Sequence, residues 1–196
     1  MLVSLHHQNP QMRWIKKAVE ILRQGGIIIY PTDTVYGLGC DLFNKKGIEK
    51  IYDIKKRDRK QPLSFICSDL KDISQYAQVS DYAYKVMKRL LPGPYTFLLA
   101  ATRQVPKILL EKRKTVGIRV PDHPVCRALL DGLGHPVIST SASLPGGSYL
   151  SDPDEIETAF GHLVDVFLDT GPGGLEPSTI IDFTGDRPVI VRQGLG

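Results

Sequence analysis

The chain has 196 residues, 42% of them hydrophobic and 23% charged, with a formal net charge of +4. These values are ordinary for a soluble globular protein that buries one core, so a single domain over residues 1–196 is predicted. No apolar run approaches the roughly 20 residues that span a bilayer, and the first residues lack the basic-then-apolar order of a signal peptide.

The first predicted helix lies within residues 10–26, where apolar residues recur at helical spacing and a Gly-Gly pair supplies the stop. These apolar residues are Ile15, Ala18, Val19 and Leu22. The apolar run at 27–30 is predicted to be a buried strand. It leads into "PTDTVYGLG" at 31–39, which combines hydroxyl groups with Pro and Gly and is predicted to be a loop at a strand end.

The second predicted helix begins at Asn44 as its cap, presents an apolar face and has Lys55 near its end. The charged stretch "KIYDIKKRDRK" at 50–60 carries six basic and two acidic residues and supplies the entire net charge of +4. Such a patch favours an anionic partner, either a nucleotide phosphate or a nucleic-acid backbone. The alternative is a solvated helix end that binds nothing.

The remainder of the chain alternates strands with helices. Strands are predicted at 62–67, 95–101, 115–120, 136–140, 164–169, 178–183 and 187–192. Helices are predicted at 80–94 with Ser80 as cap, at 123–134 with His123 as a structural hydrogen bonder at its start, and at 152–163. Eight strands interleaved with helices predict an α/β domain on one large mixed sheet, with ligands bound where loops leave strand ends.

Several kinds of site are excluded by the motifs that the sequence lacks. There is no G-x-x-x-x-G-K-[ST] phosphate loop, no G-x-S-x-G elbow and no H-E-x-x-H. The three cysteines at 40, 67 and 126 form neither a metal spacing nor a disulfide framework, so a reducing cytoplasm and no protein-bound metal are predicted. No nucleophile with a paired base is identified, so covalent catalysis is not favoured.

Six loops rich in hydroxyls, Arg and Lys remain as candidate binding elements. Their residues are Thr32, Thr34 and Tyr36; Lys55 and Arg57; Arg119; Ser139, Thr140, Ser141 and Ser143; Ser178 and Thr179; and Arg192. Each loop taken alone is ordinary turn chemistry. Together, hydroxyls and cations suit a polyanion and a small zwitterion, because the guanidinium fork of Arg binds carboxylates and phosphates in a bidentate manner.

The same segments resemble, in order, the motifs of the YrdC-like family. They are "PTDTVYGLG", "KKRDRKQPL", "LPGPYTFLL", "TVGIRVPDHP", "EPSTIID" and "VRQG", which together run from residue 31 to residue 194. The start of the chain and the segment "EKRKTVGIRVP" are most similar to the YciO branch of the family.

This resemblance implies a fold and an activity. The implied fold is a twisted, open, mostly mixed α/β sheet with flanking helices and a basic concave cleft. The implied reaction joins L-threonine, bicarbonate and ATP, with Mg²⁺ assisting, to give threonylcarbamoyl-AMP and pyrophosphate for the t⁶A modification of tRNA. Double-stranded RNA or tRNA is a further implied partner.

The resemblance also implies roles for individual residues. Lys55 and Arg57 are implied to neutralise the triphosphate as the catalytic cations. The remaining implied nucleotide contacts are Ser139, Ser141, Ser143 and Arg192. The implied threonine contacts are Thr32, Thr34, Tyr36, Arg119, Ser178 and Thr179. The implied RNA contacts are Lys55, Lys56, Arg57, Arg59 and Lys60.

Three positions depart from the family pattern. Ser143 stands where the family's S-x-N has Asn, Asp58 where it has Pro, and Ile66 where many members have His. A hydroxyl cannot reproduce the donor–acceptor pair of a carboxamide. The alternative functions are therefore an RNA-binding module without synthase activity, and a related acyl-adenylate hydrolase or carbamoyl-transfer enzyme.

Overall fold

A computed structural model of the chain describes residues 1–56, 63–71, 73–110, 114–144 and 148–196. Within these ranges the backbone forms six α-helices and one sheet of eleven strands. The helices are α1 (Met12–Arg23), α2 (Lys45–Lys55), α3 (Ile73–Tyr76), α4 (Asp81–Leu90), α5 (Pro124–Leu133) and α6 (Pro153–Phe160). The strands are β1 (Leu2–Ser4), β2 (Ile28–Tyr30), β3 (Gly37–Asp41), β4 (Ser64–Ile66), β5 (Ala77–Gln78), β6 (Tyr95–Ala101), β7 (Thr115–Arg119), β8 (Val137–Ser141), β9 (Val166–Asp169), β10 (Thr179–Asp182) and β11 (Val189–Arg192).

The sheet is open and mixed, which confirms the predicted fold class. Its strand order is β1-β9-β2-β3-β8-β4-β7-β6-β10-β11, and β5 pairs with β6 beside this path. The pairs β1/β9, β2/β9, β4/β7 and β6/β10 are parallel, and the other pairs are antiparallel. The central strands carry apolar residues on both faces because helices cover both faces.

Two apolar clusters lie on the two sides of the sheet. Helices α1 and α5 pack over one side, where Ile28 and Tyr30 of β2 point. Helices α2, α4 and α6 contribute to the cluster on the other side, which contains Ile27 and Ile29. Alternate residues of one apolar run therefore face opposite layers, as expected of successive side chains in a strand.

The structure corrects the prediction of "PTDTVYGLG" as a loop throughout. Its last three residues begin β3 (Gly37–Asp41), a fully buried strand between β2 and β8. Gly37 and Gly39 leave room for the ring of Tyr30, because a Cβ at Gly37 would lie 2.8 Å from Tyr30 Cζ. Strands β1 and β5 were also not predicted, which raises the count from eight to eleven.

The predicted helix starts are confirmed in detail. The side chain of Asn44 accepts a hydrogen bond from the Gly47 amide, and the Ser80 hydroxyl accepts one from the Ala83 amide. His123 is the N-cap of α5, where its Nδ1 accepts from the Val125 amide at 3.2 Å. These side chains satisfy amides that have no partner within their own helices.

The His123 cap predicts a pH-dependent stability. Burial, with a smaller contribution from His7, lowers the pKa of His123 to about 4, below its usual value near 6.5. Between these two values the unfolded chain binds a proton that the folded chain excludes, so stability falls as the pH drops from about 6.5 to about 4. Protonation also removes the Nδ1 acceptor, and loss of an N-cap costs about 1 kcal/mol.

His123→Asn is expected to flatten this dependence, because Asn caps a helix without titrating in this range. Urea unfolding at pH 7.5 and at pH 5 measures the difference between the two proteins. Parallel changes in the unfolding free energy of the wild type and the variant would contradict the assignment.

Candidate functional site

Polar side chains from separate parts of the chain meet around a cavity of about 130 Å³. Seven of the predicted site residues line it: Thr32, Tyr36, Arg119, Ser139, Ser141, Ser178 and Arg192. At about 30 Å³ of liquid volume per water molecule, the cavity has room for a small ligand of several heavy atoms. Hydroxyls and two guanidinium groups dominate its polar lining, which suits an anionic ligand.

The sheet topology explains why these residues meet. Arg119 ends β7, Thr96 lies near the start of β6, and Ser178 directly precedes β10. Because β7 is antiparallel to β6 and β6 is parallel to β10, the end of β7 and the starts of the other two strands share one edge. The β3/β8 pair brings Gly37 opposite Ser141. Residues up to 160 positions apart thus line one cavity.

Arg119 is buried at the wall of the cavity and binds the connection between β2 and β3. Its Nη2 donates to Thr34 Oγ1 at 2.7 Å, to Asp33 Oδ1 at 2.5 Å and to Thr32 Oγ1 at 3.3 Å. Thr34 faces an adjoining cavity of about 490 Å³ and is not among the described residues that line the smaller one. Thr34 therefore helps to orient Arg119, and its contact with threonine stays a prediction.

Ser178 and Arg192 form a second polar cluster in the lining of the cavity. Arg192 Nη2 donates to the carbonyl of Ser178 at 2.7 Å, and the Ser178 hydroxyl lies 2.8 Å from Thr96 Oγ1. Thr179 lies outside the described cavity lining; its hydroxyl donates to the Gly196 carbonyl and accepts from the Gly194 amide. Thr179 therefore helps to fix the C-terminal segment, and its contact with threonine stays a prediction.

A buried cation lies behind the β8 end of the cavity. Lys55 is 7% exposed, and its Nζ donates to the carbonyl of Ser143 and, at 2.9 Å, to the Ser143 hydroxyl. The Ser143 hydroxyl lies 3.1 Å from that of Ser141, which lines the cavity. The ammonium of Lys55 is therefore buried against Ser143, and its predicted contact with an RNA backbone stays a prediction.

The other predicted cations fall in two groups. Lys56 is exposed and ends α2 in the left-handed conformation with φ 47°. Arg57, Arg59 and Lys60 lie outside the described residues. Their contacts with a triphosphate or with RNA stay predictions.

Two buried tyrosines shape the cavity. Tyr30 donates to Ser139 Oγ at 2.7 Å, and burial raises the pKa of its phenol well above the usual value. Tyr36 is 1% exposed and donates to the Gly171 carbonyl at 2.6 Å, and burial raises the pKa of its phenol as well. Both phenols stay protonated at neutral pH, so neither is positioned as a general base.

Other residues of the site were not among those predicted from the sequence. Tyr30, Ser64, Thr96 and Tyr149 line the small cavity, and Asp33 pairs with Arg119. One signal was available for Tyr30, because it immediately precedes the "PTDT" motif at a strand end. Thr96 also carried a signal, because it lies in the "LPGPYTFLL" segment that resembles a family motif. Ser64 carried none, because a single hydroxyl residue in a strand is ordinary.

A substitution at Gly194 tests the second cluster. A Cβ at this position would lie 2.7 Å from the carbonyl carbon of Ser178 and would also overlap the Pro177 carbonyl oxygen. Gly194→Ala is therefore expected to shift the segment that holds Ser178 and Arg192, at a cost of about 1–3 kcal/mol of unfolding free energy. Chemical denaturation measures this cost, and Gly185→Ala is the control because its Cβ meets no atom closer than 3.9 Å. Equal stability of the two variants would contradict the packing.

Neither a metal cluster nor a membrane-spanning helix is found in the described ranges. No group of three or more His, Cys, Asp or Glu residues there could hold a metal ion. No helix there is both long and apolar enough to cross a bilayer. The three cysteines are buried and reduced.

The chain is similar to known proteins over almost its whole length. The family model Sua5_yciO_yrdC, described as "Telomere recombination", matches residues 20–194. The Escherichia coli K12 protein YciO is 46% identical over 194 residues, 98% of this chain and 94% of that protein. Its crystal structure superposes with a TM-score of 0.96, covering 100% of this chain and 96% of that chain.

Proteins with a named activity or ligand are also similar. A threonylcarbamoyl-AMP synthase from Vibrio vulnificus YJ016 is 32% identical over 184 residues, 92% of this chain and 98% of that protein. The crystal structure of P. abyssi Sua5 complexed with L-threonine has a TM-score of 0.93 at 26% identity, and the match covers 99% of this chain and 57% of that chain. This chain therefore belongs to the Sua5/YciO/YrdC family.

Proposed function

We propose that the protein is a threonylcarbamoyl-AMP synthase acting in tRNA t⁶A modification. The observation that carries the proposal is the convergence of seven predicted site residues, two of them arginines, on one small cavity. The name of the Vibrio vulnificus relative and the L-threonine complex of P. abyssi Sua5 support the same assignment.

The proposed reaction has two steps. The amine of L-threonine combines with bicarbonate, with loss of water, to form a carbamate. An oxygen of the carbamate then attacks the α-phosphorus of ATP, and the bond to the β-phosphate oxygen breaks as pyrophosphate leaves. Such a displacement depends on alignment and on neutralising charge, so it needs no covalent nucleophile on the protein.

The residues divide between the two substrates. Arg119 binds the threonine carboxylate, with Thr32, Tyr36 and Ser178 around the amino acid. Arg192, Ser139 and Ser141 bind the phosphate end of the nucleotide, whose remainder lies outside the small cavity, and Lys55 acts behind Ser143 and Ser141 as a fixed positive charge. Arg57 completes the cationic set, and Mg²⁺ accompanies the triphosphate as part of the substrate.

Release of pyrophosphate tests the proposal. The protein is incubated with ATP, Mg²⁺ and bicarbonate, with and without L-threonine, beside the Vibrio vulnificus synthase as a positive control. Threonine-dependent release together with a threonylcarbamoyl-AMP peak by mass spectrometry is the expected result. No threonine-dependent release, with the control active, would refute the assignment.

RNA binding without synthase activity is the second candidate. It is favoured by the concentration of the net charge in residues 50–60 and by Ser143 in place of the family's Asn. Binding of tRNA or double-stranded RNA through phosphates weakens steeply as salt rises. A Lys50→Ala/Lys56→Ala variant is expected to reduce that salt dependence, whereas undetectable binding at low salt excludes this candidate.

A further inference from the structure

Asp33 lies within the "PTDT" segment but has no assigned role in the site. Its Oδ1 accepts from Arg119 Nη2 at 2.5 Å, and the two side chains are 11% and 9% exposed. A buried ion pair of this kind costs desolvation, and it is weak evidence for stability by itself. The geometry of the pair therefore says more about its role than its contribution to stability does.

The ion pair uses only part of each partner. All three hydrogen bonds from Arg119 to described residues leave from Nη2, although a guanidinium carries five N–H donors. Arg119 Nε and Asp33 Oδ2 are buried without a hydrogen-bond partner among the described residues. A bidentate pair would have engaged both carboxylate oxygens of Asp33, so Asp33 contacts the guanidinium at a single nitrogen.

The two residues face different spaces. Arg119 lines the small cavity, whereas Asp33 lines the adjoining cavity of about 490 Å³ and is not among the described residues around the small one. A ligand in the small cavity therefore meets Arg119 and not Asp33. Asp33 therefore acts on that ligand without contacting it, and its hydrogen bond to Arg119 gives it control over the orientation of the guanidinium.

We propose that Asp33 is a positioning residue that, together with the hydroxyls of Thr32 and Thr34, holds the Nη2 corner of Arg119 in the wall. The Nη1 donors, for which no bond to a described residue is found, then remain for the carboxylate of a small ligand in the 130 Å³ cavity. The inference rests on the proposed function for the identity of that ligand as an amino acid. It adds that Asp33 determines where the carboxylate sits and has no part in binding ATP.

Three substitutions at Asp33 distinguish the effect of the position of its side chain from the effect of its charge. Asp33→Ala removes the carboxylate that holds Arg119 Nη2. It is expected to weaken L-threonine binding by about tenfold or more, because small misplacements of a positioning group have large effects. Asp33→Asn keeps an acceptor at the same place and is expected to remain within about threefold of the wild type. Asp33→Glu keeps the charge but moves the carboxylate by one methylene, and it is expected to bind L-threonine about fivefold more weakly. This variant tests the proposal even if Asp33→Ala does not fold.

Calorimetry with L-threonine, L-serine and L-lactate measures the carboxylate affinities. Titration of the same variants with ATP measures an affinity that the proposal expects to stay unchanged. Asp122→Ala is the control, because Asp122 lines the same adjoining cavity but pairs with Arg127 at the surface, 3.9 Å away. Carboxylate affinity is expected to fall for Asp33→Ala and Asp33→Glu, with ATP affinity and the Asp122→Ala control unchanged. A merely structural role would lower the melting temperature and leave the threonine affinity of the folded protein unaltered.

Several outcomes overturn the inference. One is a threonine affinity within threefold of the wild type in both Asp33→Ala and Asp33→Glu, and another is tighter threonine binding in Asp33→Ala. The others are an Asp33→Asn variant that binds threonine as weakly as Asp33→Ala, and a wild type that binds no carboxylate. Binding of L-serine or L-lactate but not of L-threonine, with the expected response to the variants, supports Asp33 as a positioning residue and refutes only the proposed synthase activity.

Discussion

Arg119→Met is expected to reduce L-threonine affinity by about a hundredfold or more and to destabilise the fold. The variant removes the buried cation of the small cavity and leaves Asp33 as a buried charge without its partner. Removing one member of a buried pair costs about 3–5 kcal/mol, because the remaining charge stays desolvated. Urea unfolding measures the stability, and calorimetry measures the threonine affinity.

A double variant separates these two effects. Arg119→Met/Asp33→Asn removes both charges, so most of the lost stability is expected to return while threonine affinity stays low. Arg127→Met is the control, since Arg127 is 63% exposed and its pairing with Asp122 contributes little. Threonine affinity in Arg119→Met equal to that of the wild type would show that the carboxylate binds elsewhere.

Most helices could be predicted because their signals are local. Asn44, Ser80 and His123 cap the helices that the periodicity indicates, and each cap involves residues two or three positions apart. The missed strand β3 lacks such a signal. Its sequence "GLGCD" has two glycines and no β-branched residue, and it is a strand because its neighbours β2 and β8 pair with it.

The site was predicted as a set of loops and not as contacts. Sequence order shows that Thr34 and Arg119 both belong to motifs, but not that one hydrogen bonds to the other across 85 positions. The resemblance implies that Thr34 and Thr179 contact threonine, and the structure adds that their hydroxyls bond to Arg119 and to the C-terminal segment. A motif therefore shows which residues belong to the site more securely than it shows what each residue does there.

The sequence contains a signal for the burial of Lys55 that the prediction did not use. Ile48, Ile51 and Tyr52 form the buried face of α2, and position 55 is one further step at the same helical spacing. A lysine on an apolar face needs a polar partner at its tip, and Ser143 supplies it 88 positions later. The serine in place of the family's Asn is thus an acceptor for Lys55.

Lys55→Met is expected to lower threonine-dependent pyrophosphate release by about 10²–10³ in kcat/KM. The aliphatic part of Met fills a similar volume beside Phe160, whose ring centroid lies 6.0 Å from Lys55 Nζ. The variant nevertheless removes the fixed positive charge behind Ser141 and one donor to the Ser143 carbonyl. Loss of one preorganised donor in a catalytic site has an effect of this size.

Lys50→Met is the matched control on the same helix, because Lys50 is 49% exposed and its contact with Asp165 lies at 3.8 Å. The control is expected to keep wild-type turnover, and circular dichroism checks that both variants fold. A second measurement, ATP affinity by calorimetry, reports the nucleotide step directly. Activity and ATP affinity within threefold of the wild type in folded Lys55→Met would make Lys55 a structural residue, because its charge would then have no effect on the nucleotide.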